Sequence, residues 1–195
     1  MSDVRHSWIL ELRERLASPP ARRLPPNDAR PASVLVPLYV AAGELWTILT
    51  VRTDTLPSHR SQIAFPGGGR EAGEDAWAAA LRESREEIGL PPDRVLRLGE
   101  LDEIESPANY RVVPCVGAVP FPFDSKVNEA EIAELFSLPL SAFTNPRLVE
   151  ERPVKINRTT RTLRIYHVGN RQIWGLTARV LQNLLARLGM EVVEE

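Results

Sequence analysis

The stretch Gly68-Gly-Arg-Glu-Ala-Gly-Glu74, followed after seven residues by Arg82-Glu-Ser-Arg-Glu-Glu-Ile-Gly-Leu90, decides how this chain is read. The alanine-rich run from Asp75 to Ile88 predicts a helix with Trp77, Leu81, Ser84 and Ile88 as its buried stripe, and Gly89 with Pro91-Pro92 stops it. Glu83, Glu86 and Glu87 then fall in the last turn and a half, where the helix dipole disfavours carboxylates. At i, i+3 and i+4 they share one surface patch, and Ala76, Ala79 and Ala80 on earlier turns would keep the approach to it open. Such a patch is either a solvated face, with Arg82 and Glu86 as an ordinary i, i+4 pair, or a site awaiting a cation. Magnesium or manganese would reverse the repulsion, since these ions take one to three carboxylates and fill their other positions with water and phosphate. The glycine run allows backbone to approach a phosphate closely, and Glu74 is placed to hold Arg82 and orient the acidic turn.

The rest of the chain sets bounds on this site. At 195 residues a single domain is expected. The 24 basic and 26 acidic residues give a net charge of -2, which argues against bulk binding to nucleic acid or membrane, so an anionic ligand must meet locally placed charge. The one cysteine, Cys115, excludes an internal disulfide, and His6, His59 and His167 are not spaced as zinc ligands. A reduced, cytoplasmic setting is expected, with no secretory leader, because Glu11, Arg13 and Glu14 break the first apolar run.

Helical spacing of Val4, Trp8, Ile9, Leu12 and Leu16 predicts an amphipathic helix over 4–17, followed by an arm with Pro19, Pro20, Pro25, Pro26 and Pro31. Residues 33–40 and 45–52 read as a hairpin in which Pro37 suits an edge or bulge. A short strand at 62–65 leads into the glycines. Further strands are expected near 95–104, 111–119, 133–140, 152–158 and 162–168, and a last helix over 177–188 buries Val180, Leu181, Leu184, Leu185 and Leu188. Strands on both sides of one central helix, with a helix at each end, imply a mixed sheet covered by helices. Trp174 and Cys115 read as core.

Gly68, Glu74, Arg82, Glu83, Glu86, Glu87, Gly89 and Leu90 together resemble the Nudix box, with Ser84 standing where an aliphatic residue is usual. The resemblance implies an α/β/α sandwich over 33–195, preceded by the helix and proline arm of 1–32, that hydrolyses a nucleoside diphosphate derivative with divalent metal. It puts Glu83 and Glu87 first as metal ligands and the Gly68 carbonyl as a further one. Glu86 is then either a ligand to a second ion or the general base. A loop glutamate, Glu129, Glu131 or Glu134, is the alternative base.

Upstream, Leu49, Thr50, Arg52, Leu56, His59, Gln62, Phe65, Pro66, Gly67 and Gly68 resemble the added signature of the coenzyme A pyrophosphatase branch of that family, with Ser61 in place of a glycine and Glu71 in place of an aspartate. Arg52, His59 and Arg60 would bring positive or protonatable groups beside the glycine loop, and Gln62, Gly67 and Gly68 complete the expected substrate contacts. Pairing of Arg52 and His59 with Asp54 or backbone is the structural alternative. The substrate expected from this resemblance is coenzyme A, in free, acyl or oxidised form. The rivals are ADP-ribose, NADH or a dinucleoside polyphosphate, and a module that binds nucleotide without hydrolysing it, against which the complete set of Arg82, Glu83, Glu86 and Glu87 speaks.

Overall fold

The computed structural model describes residues 2–53, 62–156 and 159–190. In chain order the elements are α1 (Ser2–Ala17), β1 (Arg30–Ala41), β2 (Glu44–Arg52), β3 (Ile63–Ala64), β4 (Gly67–Gly69) and α2 (Ala76–Ile88). Then come β5 (Leu96–Glu100), β6 (Ile104–Glu105), β7 (Tyr110–Ala118), β8 (Ile132–Pro139), β9 (Val149–Ile156), β10 (Thr159–Val168), β11 (Arg171–Ile173) and α3 (Gly175–Leu188). His59 and Arg60 lie outside the described residues.

The main sheet runs β3-β2-β1-β7-β5, with β4 beside β1, β6 beside β7 and β8 beside β2. β1 and β7 are parallel from Arg30 opposite Tyr110 to Leu38 opposite Ala118, and the other pairings are antiparallel, so the sheet is mixed. Alternation along β1 divides the interior into two layers. Leu35 and Tyr39 point to a cluster with Trp77, Leu81, Ile88 and Leu90 of α2 and its C-terminal turn. Val36 and Leu38 point to the opposite cluster, where α3, Tyr166 and Ile173 of the small sheet β9-β10-β11, and Leu12 and Leu16 of α1 meet. The expected α/β/α sandwich is therefore the observed architecture. Cys115 is fully buried on β7, as expected for core.

Pro37, expected at an edge or bulge, sits in the central strand β1. Leu35 donates to the Pro66 carbonyl, and Pro37, two residues on, faces that same side in the interval between the β4 and β2 pairings. No ladder partner calls for an N–H there, and the Thr47 hydroxyl donates to the Pro37 carbonyl at 3.0 Å. The glycines 67–69, expected as loop, form β4 against Ala32–Val34. The three residues of β11 were also not foreseen.

α1 lies on β5, where Leu16 is 2% exposed and packs against the bare backbone of Gly99, and the Arg15 guanidinium donates to Leu188 O at the end of α3. The proline arm is stitched down by backbone: Arg22 N–H donates to Asp102, and Leu24 N–H donates to buried Glu103, which also pairs with Arg111. Among the described residues no helix is long and apolar enough to cross a membrane. Leu16→Ala is expected to lower unfolding free energy by about 2–4 kcal/mol in chemical denaturation, because α1 cannot collapse onto Gly99 to fill the space.

Candidate active site

The helix α2 is closed at both ends by its own sequence. Asp75 caps the N-terminus by accepting from Ala78 N–H at 2.7 Å, and Gly89, at φ 71°, ends it with its N–H directed back to Arg85 and Ser84 carbonyls. Lys126 and Asn128 N–H groups take the Ile88 and Glu87 carbonyls, so the loop after β7 blunts the negative end of the helix. Ser84, the departure from an aliphatic residue, is fully buried and satisfied by donating to Ala80 O at 2.7 Å.

The three glutamates occupy different environments. Glu86 is exposed, Glu83 is half-buried, and Glu87 is buried at 3% exposure beneath β4. Ala79 and Ala80 are buried as well. Their role is close packing of α2 on β1 and β4, which corrects the expectation that they leave an open approach.

Two glycines make this contact. A Cβ on Gly67, whose φ is 153°, would stand 2.4 Å from Ser33 O, and one on Gly68 would stand 2.6 Å from the Glu83 carboxylate. Gly67 N–H donates to Glu87 Oε2 at 3.0 Å.

Arg82 is the hub of the acidic turn. Its Nε and Nη2 fork onto Glu74 at 2.8 and 3.1 Å, Nη1 reaches Glu83 at 2.8 Å and Glu86 at 3.2 Å, and Nη2 also donates to Gly69 O at 3.0 Å. Glu74 therefore holds Arg82, and Arg82 in turn ties the end of β4 to the helix. The arginine hydrogen bonds hold Glu74 down at about 2, and Arg82 is pushed up in return, chiefly by Glu74. Burial raises Glu83 despite its bond to Arg82. Burial also lifts Glu87 to about 7, against the opposing pull of Gly67 N–H and of Arg52, whose Nη1 lies 3.4 Å from Glu87 Oε1.

Among the described residues no three acidic, histidine or cysteine side chains form a ready-made cage, and arginines pair with Glu83, Glu86 and Glu87. The donor set nevertheless suits a hard divalent ion. It is all oxygen, two of its carboxylates are raised by burial, and side-chain-free Gly68 lets the Glu83 carboxylate lie against the β4 backbone, where a Cβ would stand 2.6 Å from it.

Of the loop glutamates, Glu134 pairs with Arg171 and Glu129 is exposed. The charge of Glu131 is felt at both Glu83 and Glu87.

Beside the glycines opens a cavity of about 540 Å³, lined in part by Arg52, Gln62, Gly67 and Gly68. Among the other residues that line it, Arg30, Tyr110 and Trp174 were not assigned to a site from the sequence. Trp174 is 47% exposed and not core. Arg30 had a usable signal, because it shares the alternate face of β1 with Ala32 and Val34, but the strand was expected to begin at Ser33.

Glu87 makes metal-free stability depend on pH. Its folded pKa, about 7, lies above its ordinary 4.5, so this group's contribution is intact below 4.5 and lost as pH rises through about 7. The loss is at most about 3 kcal/mol. Glu87→Gln should abolish that slope, leave the chelator-treated protein as stable as wild type or more so at pH 8, and remove most activity. Unfolding of the variant would show the acidic turn to be structural. Gly68→Ala should displace Glu83 and weaken Mn2+ binding, read by calorimetry, by about tenfold or more.

The model of the NUDIX domain matches residues 29–155. A protein named "Uncharacterized Nudix hydrolase NudL" from Photorhabdus laumondii is 37% identical over 187 residues, 94% of this chain and 95% of that one. Its namesake from Escherichia coli K12 is 33% identical over 165 residues, 83% and 84% of the two chains. A solved MutT/nudix family protein from Enterococcus faecalis shares the fold, with TM-score 0.55 and 15% identity over 85% of this chain and 64% of that one. With the box residues gathered on one helix and its glycine strand, these matches make the chain a member of the Nudix hydrolases, enzymes of nucleoside diphosphate derivatives that generally use divalent metal ions.

Proposed function

We propose that this Nudix hydrolase cleaves the diphosphate of coenzyme A, free, acylated or oxidised, with Mg2+ or Mn2+, to 3',5'-ADP and 4'-phosphopantetheine or its derivative. The observation that carries the substrate is the Leu49 to Gly68 segment, whose residues resemble the coenzyme A branch and feed directly into the site. Arg52 from it reaches Glu87, and Gln62, Phe65 and the glycines line the cavity.

Glu83 and Glu87 would hold the ion, with the Gly68 carbonyl as a further ligand and Glu86 beside them. A bound ion neutralises diphosphate charge and makes water more acidic. In the reaction a water oxygen bonds to phosphorus, the bond from that phosphorus to the bridging oxygen breaks, and the water proton passes to a glutamate. Glu86, or Glu131 whose charge is felt at Glu83 and Glu87, would accept it. Arg52 would offset charge on a diphosphate beside Gly67, and Arg82, held by Glu74, would fix the Glu83 and Glu86 carboxylates that it pairs with.

Chromatographic product analysis with Mg2+ checks this. Coenzyme A should yield the two named products and be turned over faster than ADP-ribose, NADH or diadenosine polyphosphates. Equal or better turnover of ADP-ribose sinks the coenzyme A reading.

A further inference from the structure

Away from the acidic turn, the cavity ends at a cation that the hydrolytic step does not use. Ser33 lies opposite Gly68 across the β1-β4 ladder, and Arg30 is three residues farther along β1, about 10 Å. One ribose together with the reach of an arginine side chain spans that separation.

The guanidinium is held ready. It lies 4.0 Å over the centre of the Tyr110 ring and donates to Ala108 O at 3.4 Å, while Arg30 N–H donates to Asn109 O at 2.9 Å. The turn beneath it is itself tied, with Tyr110 N–H donating to the Ser106 hydroxyl and Asn109 N–H to Ser106 O.

Among the described residues Arg30 makes no ion pair. On neighbouring β6 and the residue before it the acids are engaged elsewhere, Glu103 with Arg111 and Leu24 N–H, and Glu105 with Asn27. Trp174, largely exposed on the same cavity, offers an apolar plane of the size of a purine.

We infer that Arg30 binds a phosphate monoester on the nucleoside half of the substrate, the 3'-phosphate of coenzyme A, with Trp174 as the surface against which the base stacks. This rests on the coenzyme A reading and deepens it, because the 3'-phosphate is what separates coenzyme A from its dephospho form and is also absent from ADP-ribose.

The experiment compares kcat/KM of wild type and Arg30→Met on coenzyme A and on 3'-dephospho-coenzyme A. Wild type should prefer coenzyme A by about tenfold or more, as expected for one charge-assisted contact. Arg30→Met should bring the preference close to one through a raised KM for coenzyme A alone. Unchanged turnover of the dephospho substrate also reports that the variant is folded. The inference is overturned if wild type shows no preference, or if the variant loses both substrates equally or neither. Wild type that cleaves ADP-ribose and neither coenzyme A form instead overturns the coenzyme A reading itself, and is recognised without any variant.

Discussion

Everything in this molecule is arranged around the contact of a side-chain-free strand with an acidic helix. Gly68 of β4 sits against Glu83 of α2 at a distance that only hydrogen permits, the neighbouring Gly67 is pressed as closely on Ser33 and Val34 of β1, and its N–H donates to Glu87, so both carboxylates lie against the β4 backbone. The remaining layers follow from it. β4 needs β1 as its partner, β1 needs β7 and β2 to stay in register, and α2 needs Ala79 and Ala80 to lie close enough for the contact to form. A single methyl group at Gly68 therefore acts on the chemistry before it acts on the fold.

Electrostatically, the site is prepared in tension. Burial raises both Glu87 and Glu83 above the usual carboxylate range, while Arg52 and Arg82 approach from two sides and favour their anions. Full neutralisation by the arginines would leave nothing for an incoming cation to gain. The geometry avoids this: Arg82 is committed first to Glu74 and to the Gly69 carbonyl, and Arg52 stands at 3.4 Å from Glu87. Residual repulsion is thus stored where a divalent ion and its diphosphate relieve it.

The parts legible in the sequence were those governed by local rules. Caps at Asp75 and Gly89, the hairpin of β1 and β2, the stripe through Trp77 and Ile88, and the Glu74-Arg82 pair all express spacing along one element. The misread parts depend on what lies across from a residue. Pro37 looked like an edge residue because the rule concerns a missing N–H, and whether one is needed depends on the interval between β4 and β2. Small residues at Ala79 and Ala80 serve an open approach and a tight one equally well until the partner strand is known. Glu87 and Glu86 are adjacent in sequence, and only the position of β4 buries one and leaves the other in water. Trp174 has the residue type of a core position, but it precedes Gly175 at the start of α3, where the chain turns at the cavity mouth.

The fully buried thiol of Cys115 carries a consequence for how this protein opens. It lies on β7, in the parallel ladder with Leu35 of β1, and burial pushes its ionisation well above the ordinary range of a thiol. Alkylation requires thiolate, so a reagent reaches it only through separation of the central sheet. With one cysteine in the chain, the labelling rate is a clock for that single event, free of background from other sites. Because β1 supports both the glycine strand and the cavity wall, the same clock times how often the active site itself comes apart.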